Sequence, residues 1–155
     1  MFLIIDQGTT STKVMLFNLE GKKVDSSQKP FKQIFPHNGW VEHNPEEIIE
    51  TVISCCNELI DNNPDQKICS IGVTNQRETV VLWDKKTGKS LYNAIVWQDR
   101  RTDAFCNELK VKGYEEFINQ KTGLLLDPYF SSTKIRWIID NVKGVKEGID
   151  GNRVC

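Results

Sequence analysis

The sequence contains no run approaching the roughly 18 apolar residues that can cross a membrane. Its start, Met1-Phe2-Leu3-Ile4-Ile5-Asp6, lacks a basic leader and meets an acid at once, unlike a secretory signal. There is no Asn-x-Ser/Thr acceptor and no Cys-x-x-Cys. The five cysteines are odd in number, and Cys55 and Cys56 are adjacent. That pattern suits neither a disulfide framework nor a zinc site, so idle thiols in a reducing cytoplasm are expected. His37 and His43 lack metal-ligand spacing and are expected to be structural. Neither charge dominates: 20 Lys and Arg oppose 21 Asp and Glu, for a formal net charge of −1. That balance argues against a strongly basic nucleic-acid binder and leaves only a local basic patch open.

Several nucleotide signatures are missing as well. No Gly-x-Gly-x-x-Gly occurs, so a dinucleotide fold lacks its fingerprint. Thr87-Gly88-Lys89-Ser90 ends like a phosphate-binding P-loop, but Trp83 stands where the leading glycine belongs. Ser131-Ser132-Thr133-Lys134 matches Ser-x-x-Lys, yet both Lys-Thr-Gly copies precede it and Ser-Asp-Asn is absent. A penicillin-binding enzyme is thus unsupported.

What the 155 residues do contain is the alternation of a mixed α/β protein. Phe2–Ile5 and Val14–Phe17 flank a small-residue turn and predict a hairpin. Val24–Ile34 predicts a third, more polar strand. Asn44-Pro45-Glu46-Glu47 has the N-cap, first-position proline and capping-box acid of a helix start. Ile48, Ile49, Val52, Ile53, Cys56, Leu59 and Ile60 then recur at helical spacing until Asn63-Pro64. Ile68–Thr74 predicts a buried strand. Val80–Trp83 and Ala94–Trp97 predict strands around a turn at 84–88. Asp99 is expected to cap a helix running to about Lys112. Ser131 or Ser132 is expected to cap a last helix burying Ile135, Ile138, Ile139 and Val142.

Two segments carry chemistry. Asp6-Gln7-Gly8-Thr9-Thr10 offers a carboxylate for Mg²⁺, a glycine and hydroxyl donors, as phosphate recognition requires. A polar hairpin turn is the equally weighted alternative. Arg77-Glu78, after a strand, supplies donors and an acceptor suited to a hydroxyl array. A surface ion pair is its plainer reading. Trp97 offers an apolar wall or a core ring, and Tyr129 a hydroxyl or a buried, capped ring. Trp40 is expected at the helix entrance.

Asp6-Gln7-Gly8-Thr9-Thr10-Ser11, Gly39-Trp40-Val41-Glu42-His43, Gly72–Thr79, Asn93–Gln98 and Asp127–Ser131 together resemble the glycerol kinases, members of a carbohydrate kinase family. The blocks appear in the family's order across nearly the whole chain. The resemblance implies a ribonuclease-H-like, actin/hexokinase-type fold: a mixed α/β sheet with helices. It implies that residues 1–155 form the N-terminal portion of a first lobe, with the second lobe absent. The implied reaction uses ATP and Mg²⁺ to convert glycerol to glycerol 3-phosphate, in a cytoplasmic enzyme whose parent form is a homo-oligomer. By the same resemblance Asp6 lies near the metal, and Thr9, Thr10, Ser11 and Lys13 near the nucleotide. Arg77, Glu78, Trp97 and Tyr129 hold glycerol.

Lys13 stands where the family often has Arg, which removes a planar fork for phosphate. The family's general base, an Asp in a Gly-Asp-Gln segment, has no counterpart here. The isolated chain is therefore expected to be inactive. Alternatives are a non-catalytic polyol-binding module, a kinase of another sugar, and a ribonuclease-H-like nuclease.

Overall fold

A computed structural model describes all of residues 1–155. The chain forms two compact units. One comprises residues 1–33 and 43–77, the other residues 34–42 and 78–155.

The first unit is a four-stranded sheet carrying one helix. Strands β1 (Phe2–Gln7), β2 (Ser11–Phe17) and β3 (Lys23–Pro30) form an antiparallel meander. After the helix α1 (Pro45–Asn62), strand β5 (Ser70–Thr74) returns parallel to β1, giving the order β3-β2-β1-β5. Strict alternation along β2 buries Thr12, Val14 and Leu16 and sends Lys13 and Met15 to the other face. Leu3, Val14 and Leu16 pack against Cys55 and Leu59 of α1. Truncating Leu59 to Ala would cost roughly 2–5 kcal/mol at such a site.

The helix start follows the sequence only in part. Asn44 Oδ1 accepts the Glu46 N–H at 3.0 Å, and Pro45 opens the first turn. Glu47, however, does not close a capping box. Its carboxylate instead accepts the Lys32 N–H at 3.0 Å, just past β3. The predicted buried strand is also an exposed one. Ile71 and Val73 are 58% and 70% exposed, although they stand beside Leu3 and Ile5 on the helix-bearing face. Helix α1 packs mainly over β2 and β3, so its footprint ends before the edge strand. Hydrophobic composition indicated burial; edge position decided against it.

The second unit is mostly helical. A short pairing joins β4 (Glu42–His43) to β6 (Ala94–Ile95), and single bridges join Val80 to Ile95 and Trp83 to Ser90. The expected hairpin thus exists as isolated bridges rather than two full strands. Helices α2 (Asp103–Val111), α3 (Tyr114–Thr122), α4 (Ser131–Asn141) and α5 (Val145–Asp150) follow. Val80, Leu82, Ile95, Ile138 and Val145 form its core.

Asp99 does not cap a helix. Its carboxylate is buried and accepts the N–H groups of Val41 and Arg101, so α2 begins only at Asp103. Gly113, at φ 83°, separates α2 from α3 in the left-handed region that glycine tolerates best. Ser131 is the first helical residue of α4 rather than its cap, and Phe130 occupies the cap position. No helix is long and apolar enough to cross a membrane, and all five cysteines are free thiols.

Candidate functional site

In the first unit, the turn after β1 holds the predicted phosphate-side residues. Gly8 donates to Ser11 O at 3.0 Å, and a Cβ on Gly8 would meet that oxygen at 3.1 Å. Glycine is therefore needed for close approach rather than for positive φ. Asp6 is exposed and lies directly across from Lys13 on β2 and Thr74 on β5. Lys13 is half-buried and forms no ion pair. Thr10 is exposed, whereas the Ser11 hydroxyl accepts from Gln28 Nε2 at 2.9 Å. The next hydroxyl, Thr12, turns to the other face and bonds Thr51 at 2.9 Å.

No cluster of three His, Cys, Asp or Glu residues could hold a resident metal. A lone exposed Asp6 beside a hydroxyl-rich turn fits Mg²⁺ that arrives on phosphate oxygens, because Mg²⁺ commonly needs only one or two protein carboxylates.

Arg77 ends the first unit. It is exposed and pairs with no acid, so the surface ion pair with Glu78 is not formed. Its five donors face solvent.

In the second unit, Glu78 has φ 64°, a left-handed conformation uncommon for a residue with a Cβ. Its Oε2 accepts both the N–H and the hydroxyl of Ser131, at 2.9 and 2.7 Å. Glu78 thereby caps α4 from 53 residues away, taking the role expected of a local serine. The other oxygen, Oε1, accepts no hydrogen bond from the chain. Such backbone outliers gather where a side chain must be held in a particular place.

The structure brings Trp97 and Tyr129 together as well. Their ring centroids lie 5.8 Å apart at 67°, with Phe130 edge-on to Tyr129 at 5.1 Å. Tyr129 is 36% exposed, and its hydroxyl bonds nothing in the chain. It is not a buried ring with a satisfied tip. Asp127 holds its loop by accepting the Tyr129 N–H at 2.8 Å.

Buried charges outside the expected site residues were not anticipated. Lys134 is fully buried, and its Nζ donates to Tyr129 O at 2.5 Å. Burial pulls its pKa down to about 8, against the pull of Glu78, Asp99 and Asp127. Its position one turn before Ile138, on the apolar face of α4, was the available signal.

Arg101 lies in a closed cluster with Asp99 and Glu42, all three side chains at most 2% exposed. Its guanidinium forks onto Asp99 at 2.9 and 2.8 Å and reaches Glu42 at 2.7 Å. Tyr92 and Asn93 complete the Glu42 carboxylate at 2.7 and 2.8 Å. The cation lies 3.9 Å over the Trp40 ring, so Trp40 serves this cluster. With every acceptor filled inside the protein, this cluster is structural.

The chain is similar to known proteins in sequence and fold. Residues 1–154 match the N-terminal domain of the FGGY family of carbohydrate kinases. The chain is 54% identical over 155 residues to a glycerol kinase of Marinomonas sp., covering 99% of this chain and 31% of that protein. It is 59% identical over 148 residues to a glycerol kinase of Bacillus mycoides, covering 94% and 30%. The crystal structure of Plasmodium falciparum glycerol kinase with ADP superposes with a TM-score of 0.95 at 41% identity, over 99% of this chain and 32% of that one. A ligand-bound xylulose kinase of Lactobacillus acidophilus superposes at 0.83 and 28% identity, over 91% and 29%. The chain thus spans about 30% of the length of the curated relatives it matches. Its mixed sheet and helices are those of the actin/hexokinase-type kinases. On the match across residues 1–154, the chain belongs to the FGGY family of carbohydrate kinases.

Proposed function

We propose that this chain supplies the alcohol-binding side, and part of the phosphate-binding side, of an ATP-dependent glycerol kinase. In that reading residues 1–155 are the N-terminal portion of a first lobe in a cytoplasmic, homo-oligomeric parent enzyme. The observation that carries it is Glu78: a carboxylate held at strained φ, with one oxygen engaged by Ser131 and the other left to accept.

A triol needs converging donors and acceptors beside a small apolar surface. Glu78 Oε1 accepts a hydroxyl proton of glycerol in a hydrogen bond. Arg77 donates to hydroxyl oxygens, and the Tyr129 hydroxyl donates or accepts as required. Trp97 covers the carbon side and excludes water from it. Asp6 and the Thr9, Thr10, Ser11 and Lys13 segment bind on the phosphate side. When bound, Mg²⁺-ATP supplies the phosphoryl group and neutralises its charge. No Gly-Asp-Gln segment is present to take the alcohol proton.

The test follows Trp97 and Tyr129 resonances while the chain is titrated with glycerol. Glycerol should shift both in the native chain and neither in Glu78→Gln. Equal shifts from xylitol would overturn the choice of glycerol. The chain mixed with Mg²⁺-ATP and glycerol should form no glycerol 3-phosphate above an Arg77→Ala/Glu78→Ala control. Product above that control would refute the assignment of the base elsewhere.

A further inference from the structure

The first unit contains a buried imidazole that the reading above does not use. His43 is fully buried at the centre of a relay of glutamine amides. On one side its Nε2 lies 2.7 Å from Gln33 Oε1, and Gln33 Nε2 donates to Thr9 O at 3.0 Å. On the other side its Nδ1 lies 3.3 Å from Gln76 Nε2, which also donates to Gln7 Oε1 at 3.2 Å. Gln7 Nε2 then donates to Gly8 O at 2.7 Å. The relay leaves from one carbonyl of the turn and returns to the neighbouring one.

Both ends are backbone carbonyls, which can only accept, so the direction of every bond is determined. Gln33 must turn its amide nitrogen to Thr9 O, leaving its oxygen for His43. The ring must therefore donate from Nε2. Gln7 must turn its nitrogen to Gly8 O, leaving its oxygen for Gln76. The Gln76 amide then has two hydrogens for two acceptors, Gln7 Oε1 and His43 Nδ1. Only the neutral, Nε2-protonated ring satisfies all of these bonds, because a proton on Nδ1 would face the Gln76 amide hydrogens. Burial, opposed by Glu47, accordingly holds the ring neutral down to about pH 4.

We propose that His43 is a positioning residue for the phosphate-side turn: through Gln33, Gln76 and Gln7 it holds the carbonyls of Gly8 and Thr9 against the protein, so that they cannot turn toward a bound phosphate. The third carbonyl, of Thr10, is held by the Phe31 N–H at 3.4 Å. An anion is repelled by carbonyl oxygens and drawn by N–H and hydroxyl groups, so fixing which edge of the turn faces the ligand sets its affinity. The role of this turn toward a nucleotide rests on the function proposed above; the relay itself does not.

Two substitutions open the relay on one side each. In His43→Asn the amide oxygen replaces Nδ1 as acceptor and keeps the Gln76 side. In His43→Gln the amide nitrogen replaces Nε2 as donor and keeps the Gln33 side. The experiment is NMR on the 155-residue chain, with amide exchange at Gly8 and Phe31 as the loop readout and at Leu3 and Val14 as the fold control.

Native His43 should show the neutral Nε2–H tautomer at pH 7. His43→Asn should release Thr9 and speed Phe31 exchange roughly five- to tenfold, the effect of losing one hydrogen bond. His43→Gln should do so at Gly8, with Leu3 and Val14 unchanged in both. An Nδ1–H tautomer, or loop exchange unchanged in both variants, would overturn the proposal. Equal acceleration at the control amides would also overturn it, by showing a general structural role. Mg²⁺-ATP should shift the Gly8–Ser11 amides of the native chain, with weaker binding in both variants. If it shifts none, the nucleotide reading fails while the exchange data still decide the relay.

Discussion

Replacing Glu78 separates the cost of its backbone from the gain of its side chain. A residue with a Cβ in the left-handed region costs roughly 1–2 kcal/mol, and glycine removes that cost. Glycine gives back about 0.4–1 kcal/mol through the greater freedom of its unfolded chain. Loss of the carboxylate removes two hydrogen bonds at the start of α4, and a lost cap typically costs about 1 kcal/mol. It also leaves the buried Lys134 ammonium with less compensating charge.

Glu78→Ala keeps the strain and loses the cap, so it should destabilise by about 1–2 kcal/mol. Glu78→Gly should lie above Ala by roughly 0.5–1 kcal/mol and close to the native chain. Glu78→Gln keeps an acceptor for Ser131 and should lose less than Ala. Urea unfolding followed by tryptophan fluorescence is the assay. All four tryptophans, Trp40, Trp83, Trp97 and Trp137, belong to the second unit, so the signal reports the unit that holds Glu78 and α4. An alanine variant as stable as the glycine variant would refute the strain argument. Native stability in both would refute the remote cap.

Arg101→Met should destabilise the second unit by about 3–5 kcal/mol, because two buried carboxylates lose the cation that pairs with both. A loss under about 1 kcal/mol in the same assay would contradict that. Lys134 should make stability rise with pH in alkali. Its folded pKa of about 8 lies below the ordinary 10.5, so between those values the unfolded chain binds the extra proton. The cost of the buried charge is fully present below pH 8 and relieved by pH 10.5, on the order of 3 kcal/mol. Lys134→Met should flatten that rise, and parallel native and variant curves would refute it.

The order of the fold was legible where local chemistry decides it. The hairpin and α1 with Asn44 and Pro45 follow from spacing and capping residues, and α2 and α4 follow from spacing without their expected caps, whereas α3 and α5 were not anticipated. What local patterns could not show was partner choice across long separations. Glu47 serves Lys32, Asp99 serves Arg101 and Val41, and Glu78 serves Ser131. Glu47 and Asp99 each suit a nearby helix start equally well on paper. Burial of β5 failed for a similar reason, since an apolar strand does not announce whether a helix will reach it. Among the site residues, Glu78, Trp97 and Tyr129 were recognisable as types. The left-handed backbone of Glu78 was not, because no glycine or asparagine marks it.

The two-residue strand β4 has an unusual tolerance problem. Glu42 and His43 are adjacent and both buried, one completing the Arg101 cluster and the other the glutamine relay. Strand geometry sends neighbouring side chains to opposite sides. A single-residue insertion or deletion here would turn the imidazole to the side that the carboxylate faces and the carboxylate to the side that the imidazole faces. Two separate polar interiors would then be miswired by one reading-frame-preserving event. Length variation, usually cheapest in short irregular connections, is closed off at one of the shortest elements in the chain.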